Sequence, residues 1–183
     1  MDSHLKKLQQ ALNEATAGMS AEERSWHPPQ KWCVDEVLEH LYLTYTGTIR
    51  GFTRALEAGT PASARATFAQ RARILLVVGL GYMPEGRSAP AGVVPRGAAA
   101  GMVSAEIGRK IAEMDEIIGR CERELGGGKF RGRAIIEHPI LGPLTPGQWR
   151  KFHLVHGWHH QKQLLKLREG MPQELKRDSA LRA

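Results

Sequence analysis

An apolar stripe with the helical period dominates this chain, and strand alternation almost never replaces it. Val34, Val37, Leu38, Leu41, Tyr45, Ile49, Phe52 and Leu56 recur at spacings that put them on one side of a long helix from about Val34 to Ala58. The same pattern appears in Leu5, Leu8, Leu12 and Ala15, within a first helix expected from Ser3 to Ala17. It returns in Val103, Ile107, Ile111, Met114, Ile117, Ile118, Cys121 and Leu125, within a helix expected from Val103 to Leu125. Only Arg133–Glu137 is briefly strand-like.

Breakers separate these stripes. Gly18 ends the first helix, and Ser20 to Lys31, with Pro28-Pro29, reads as a connector. Gly59-Thr60-Pro61 stops the second helix. A shorter helix is expected from Ser63 to Leu80, then a Pro- and Gly-rich loop from Met83 to Gly101. Gly126-Gly127-Gly128 terminates the next helix, and a second loop runs from Lys129 to Leu144. The last helix opens at Thr145-Pro146, a good N-cap followed by Pro at the first helical position, and runs to about Glu169. Four long amphipathic helices without a sheet can bury their stripes only against one another. The expected fold is therefore all-α, a four-helix bundle with an extra short helix between its second and third helices. Residues 1–170 form the single domain, and 171–183 a flexible basic tail.

Composition narrows the function. The net charge is +7, but Lys and Arg are scattered, densest in Lys162, Lys166, Arg168, Lys176, Arg177 and Arg182. No recognition helix, zinc-finger spacing or aromatic–basic strip accompanies them, so no nucleic-acid partner is expected. The apolar run from Ile74 to Met83 is about half the ~20 residues a membrane span needs, so no membrane partner is expected either. Cys33 and Cys121 cannot build a disulfide framework, and no leader follows Met1, so the expected location is cytoplasmic.

The histidines carry the chemistry. His153, His156, His159 and His160 crowd the last helix. His156 and His160, four apart, project from one face as helical His–His metal ligands do. His153 lies on a similar azimuth but about 10 Å along the axis from His160, too far to share its ion. His159 turns toward a flank. A third ligand must come from elsewhere. His4 is near a terminus, His27 and His138 precede Pro, and only His40 sits inside a long helix. Thr44, Gly47 and Thr48 follow it on that side and would leave a cleft. Histidines on a half-buried face also serve as hydrogen-bonded core, and the residues alone leave both readings open.

Trp32-Cys33-Val34-Asp35-Glu36-Val37-Leu38-Glu39-His40-Leu41 resembles the "W-S-x-x-E-(apolar)-x-x-H-L" opening of the DinB-like superfamily. His153-Leu154-Val155-His156-Gly157-Trp158-His159-His160-Gln161-Lys162-Gln163 is similar to its closing "H-x-x-H-H-x-x-Q" helix, and His138 to Pro146 resembles the lead-in found in a branch mostly without assigned activity. The resemblance spans nearly the whole chain. It implies an up-down-down-up bundle, often a homodimer, with a divalent metal (zinc or nickel foremost) on His40, His156 and His160. It further implies, by analogy with characterised relatives, a low-molecular-weight thiol cofactor activated by that metal.

Three neutral imidazoles leave the ion its charge and an open position for water, a thiol or a small-molecule substrate. No Ser-His-Asp order, P-loop or dinucleotide fingerprint competes with this reading. His153 and Gln163 share the ligand face and are expected to line the pocket or to hold the ligands from behind. Catalytic residues are not identified. Glu36 and Glu39 read as solvated charges favourable to the helix dipole, and Trp149 and Trp158 as packing. Cys33, where the family usually has Ser, reads as a weaker cap whose thiol the helix N-terminus can make reactive. Cys121 falls on the apolar stripe and reads as core. A non-catalytic module, its ion stapling the bundle or acting as a sensor, is the alternative to an enzyme.

Overall fold

The computed structural model describes residues 1–61, 65–84, 86, 88–97, 104–125 and 132–176. Among the described residues, the α-helices that build the fold follow in order: α1 (Ser3–Thr16), α2 (Ala21–Ser25), α3 (Val34–Ala58), α4 (Phe68–Ile74), α5 (Ser104–Leu125) and α6 (Pro146–Gly170). A small antiparallel hairpin, β1 (Ile136–His138) and β2 (Gly142–Leu144), precedes α6.

The fold is the all-α bundle that the stripes require. Four helices form it, and cross-contacts fix their directions. Phe52 meets Trp149, Thr48 meets His153 and His40 meets His156, so α3 and α6 are antiparallel. Lys110 lies over Tyr42, and the Cys121 thiol donates to the Phe52 carbonyl, so α3 and α5 are parallel. The Asp2 N–H donates to Asp115, while a Cβ on Gly108 would meet Gln9, so α1 opposes α5. The order is up-down-down-up. The stripe residues make the core: Leu5, Leu8, Val34, Leu38, Tyr45, Phe52, Ile111 and Met114 are all fully buried.

α1 and α6 run parallel and unusually close. A Cβ on Gly157 would overlap the Leu8 side chain. Glycine weakens a helix interior by about 0.8–1.0 kcal/mol relative to alanine, and here its missing side chain lets α1 seat directly behind the histidine helix. At the start of α6, Arg150 bridges Asp115 (3.1 Å) and Glu122 (2.8 Å), tying α6 to α5.

Several boundaries differ from the sequence expectation. The connector holds a short helix, α2, because Ser20 accepts from the Glu23 N–H while the Glu23 carboxylate accepts from the Ser20 N–H. The inserted helix starts only at Phe68, capped by Thr67, and passes into a π-helical turn at Leu75–Gly79. No residue of α4 is buried, and Phe68 is 88% exposed. The strand-like stretch pairs slightly later than expected, Ile136 with Leu144 and His138 with Gly142. Ser63, Val103, the Gly126–Gly128 stop, and the tail residues Arg177 and Arg182 lie outside the described residues. Among the described residues no helix is long and apolar enough to cross a membrane.

Candidate metal centre

Two helices and one loop build the site. α6 presents His156 and His160 one turn apart, and the antiparallel α3 brings His40 against them. The three Nε2 atoms converge: His156 lies 3.3 Å from His40 and 3.0 Å from His160. Ligands held about 2.05 Å from one ion stand about 2.9 Å apart at right angles and about 3.3 Å apart at the tetrahedral angle. The observed separations match that range.

The other ring nitrogens are committed. His40 Nδ1–H donates to the Val93 carbonyl at 2.8 Å, and His160 Nδ1–H donates to Gln163 Oε1 at 3.0 Å. Both bonds leave an Nε2 lone pair facing inward. His156 Nε2 can give a proton to only one of these neighbours, and its buried Nδ1 has no partner among the described residues. Whatever its tautomer, the cluster faces at least one lone pair with no proton. One cation at the centre satisfies all three. The residues therefore fit a divalent ion.

Protonation is suppressed in the group. Burial holds His40 below the ordinary histidine range, with the Val93 bond pulling the other way. Burial and then the neighbouring imidazoles hold His156 well below it, and burial brings His160 down to about 3. Neutral imidazole is the form that binds metal. His40 and His160 are buried, whereas His156 keeps partial exposure. Trp32 and Phe152 wall the group, 5.3 Å from His40 and 5.6 Å from His156 between ring centroids.

Gln163, expected behind the ligands, bonds His160 directly. His153 does not bond the trio. It is fully buried one turn deeper, its Nε2 3.1 Å from Thr48 Oγ1, and burial takes its pKa down to about 3. Of the remaining histidines, His159 sets its ring edge-on to His160, 5.1 Å between centroids, and the others are engaged elsewhere. His138 Nδ1 accepts from the Ile140 and Leu141 N–H groups and shapes the hairpin turn. His4 lies against Asp2 and His27 against Glu36.

Three readings need correction. Glu39 is not a solvated charge: it is 5% exposed, and its two oxygens accept from the Arg96 and Gly97 N–H groups, each at 3.1 Å. Glu36 accepts from the Cys33 N–H at 2.8 Å and is only half-exposed. Cys33 is no activated thiol, because burial pushes its pKa up despite the helix N-terminus. Cys33, Glu36 and His27 do gather within 4.8 Å. That second group is poorer for a cation, with a protonated thiol, a carboxylate serving the cap and the positive end of α3 beside it. Trp149 packs as expected; Trp158 is 41% exposed.

The sequence model of the DinB superfamily matches residues 4–164. The chain belongs to the DinB superfamily. No curated protein and no solved structure matches it. The DinB match covers all three histidines and agrees with the bundle. Neither Glu39 nor Val93 stood out in the sequence. Glu39 has the look of any helix-surface acid, and Val93 contributes a backbone carbonyl that no side-chain pattern marks.

Proposed function

We propose that this DinB-superfamily chain holds one divalent metal, zinc or nickel, on His40, His156 and His160, and uses it as an enzyme acting on a small molecule. The reaction is transfer by a low-molecular-weight thiol or hydrolysis by water. A metal bound by three neutral imidazoles lowers the pKa of a thiol or water in its open position. The observation that carries the reading is the inward convergence of three Nε2 atoms whose Nδ1 partners, where present, are acceptors only.

The chain's own residues supply orientation and access. Val93 and Gln163 fix two rings, and the stacked Phe152 ring, 10° from parallel, backs His156. The partial exposure of His156 supports access from solvent. A metal staple without catalysis is the second reading, supported by the near-complete burial of His40 and His160 at 4% and 5% exposure.

Metal content per chain in tag-free, chelator-free protein tests the site. About one equivalent in wild type and none in His156→Ala is expected. A wild type that carries no metal and takes up neither zinc nor nickel overturns the reading. Cobalt-substituted protein then separates the two uses: a saturable spectral change on adding a thiol supports transfer, and an inert spectrum supports the staple.

A further inference from the structure

Two consecutive residues of α3 hold the same stretch of loop. His40 Nδ1–H donates to the Val93 carbonyl at 2.8 Å, and the Glu39 carboxylate accepts from Arg96 and Gly97, each at 3.1 Å. Among the described residues the stretch has few other contacts to fix it. None of residues 88–97 is buried, and Val94 is 38% exposed. A segment without buried apolar anchors takes its stability from the polar contacts that remain. Glu39, by contrast, is closed off from solvent at 5% exposure. A carboxylate is buried only when its oxygens are satisfied, and here the satisfying groups are two backbone N–H donors of that loop.

We infer that Glu39 is a positioning residue that straps residues 93–97 to α3, so that strap order and metal occupancy form a single coupled equilibrium. The inference rests on the metal reading above. The coupling passes through His40. An ion on Nε2 withdraws charge from the ring and strengthens the Nδ1–H donor toward Val93, while a strap held by Glu39 keeps that carbonyl in place and Nε2 aimed inward. Linkage makes the effect reciprocal: whatever Glu39 contributes to metal affinity, the metal returns to the strap. Glu39 itself does not touch the ion. Its oxygens are spent on the loop, and as the neighbour of His40 it points about 100° around the helix from it.

Arg96 makes the equilibrium measurable, since its exposed side chain places a trypsin site on the strap. Full-length wild type, Glu39→Gln and Glu39→Ala would be digested briefly with trypsin, with and without zinc, and cleavage after Arg96 followed by mass spectrometry. Cleavage after the exposed Arg65 serves as internal reference. Zinc affinity would be measured in parallel by chelator competition. Zinc is expected to slow cleavage after Arg96 at least tenfold in wild type and to leave Arg65 unchanged. Glu39→Ala should lose most of that protection and about tenfold in zinc affinity, a typical loss for a group behind a ligand. Glu39→Gln, with one carbonyl oxygen to offer, should fall between and guards against a variant that fails to fold. Wild type that binds zinc without protecting Arg96 overturns the inference alone. So does a Glu39→Ala protein with unchanged affinity and protection. A wild type that binds no zinc overturns the metal reading and the coupling with it.

Discussion

Replacing Gln163 by Leu removes the acceptor that holds His160 Nδ1 at 3.0 Å and keeps a similar volume. With that acceptor gone, nothing fixes the proton on Nδ1. The tautomer with the proton on Nε2 becomes accessible, and that form cannot ligate. Partners of this kind contribute about 10–100-fold to metal affinity, or about 1.4–2.8 kcal/mol. A neutral hydrogen bond adds only about 0.5–1.5 kcal/mol to fold stability. The loss should therefore be larger in metal binding than in unfolding, because the bond selects a tautomer as well as a geometry. Gln163→Glu should act in the opposite direction, since a charge-assisted bond is roughly twice as strong and raises the basicity of the ligand. The assay is zinc competition against a chromophoric chelator, with urea unfolding of the metal-free proteins alongside. Zinc affinities within twofold of one another for wild type, Leu and Glu forms, in a wild type that loads zinc, would refute the reasoning.

Gly157→Ala gains about 0.8–1.0 kcal/mol of helix propensity but drives a methyl into Leu8, where overpacking costs about 1–3 kcal/mol. The net expectation is a loss of about 1 kcal/mol in chemical denaturation, partly relieved by adding Leu8→Val; a more stable alanine variant would contradict the close α1–α6 approach. Tyr45 is fully buried, and its hydroxyl has no partner among the described residues. Tyr45→Phe should therefore stabilise the metal-free protein by about 1 kcal/mol, and a destabilised variant would mean the hydroxyl is satisfied. Metal-free stability should also fall on acidification. His153 and His138 titrate near 3 and 4 in the fold against 6.5 unfolded, so above pH 6.5 neither state binds the proton, and below it the unfolded chain does. Stability is therefore full above about pH 6.5 and declines toward pH 3, by up to about 1.4 kcal/mol per pH unit for each such group; a flat profile between pH 6.5 and 4.5 would refute the burial of these rings.

The bundle was legible because its stripes are long. Val34 to Leu56 repeats the apolar spacing over many turns, and every competing period fails over that length. The start of α6 was marked by local chemistry, Thr145 as cap followed by Pro146, which needs no tertiary context. The inserted segment resisted because α4 buries nothing, so no stripe records its limits. α2 escaped because its capping box opens only five helical residues, too few to show an apolar stripe. At the site, His156 and His160 declared themselves through the helical repeat, and His40 by elimination. Glu39 was misread because the same residue type serves a solvated face or a buried clamp. The difference lies in where residues 93–97 fall, and no spacing encodes that.

His156 and His160 share one turn of α6, whereas His40 stands 116 residues from His156. A chain with only α6 formed already has a two-nitrogen ligand of modest strength. The third nitrogen arrives only when α3 has crossed the bundle and docked antiparallel to α6. On the metal reading proposed above, full-affinity capture comes late in folding, conditional on a contact between residues 116 apart. An ion acquired at that stage would certify a finished bundle and slow its reopening, and partly folded chains would exchange metal freely with their surroundings.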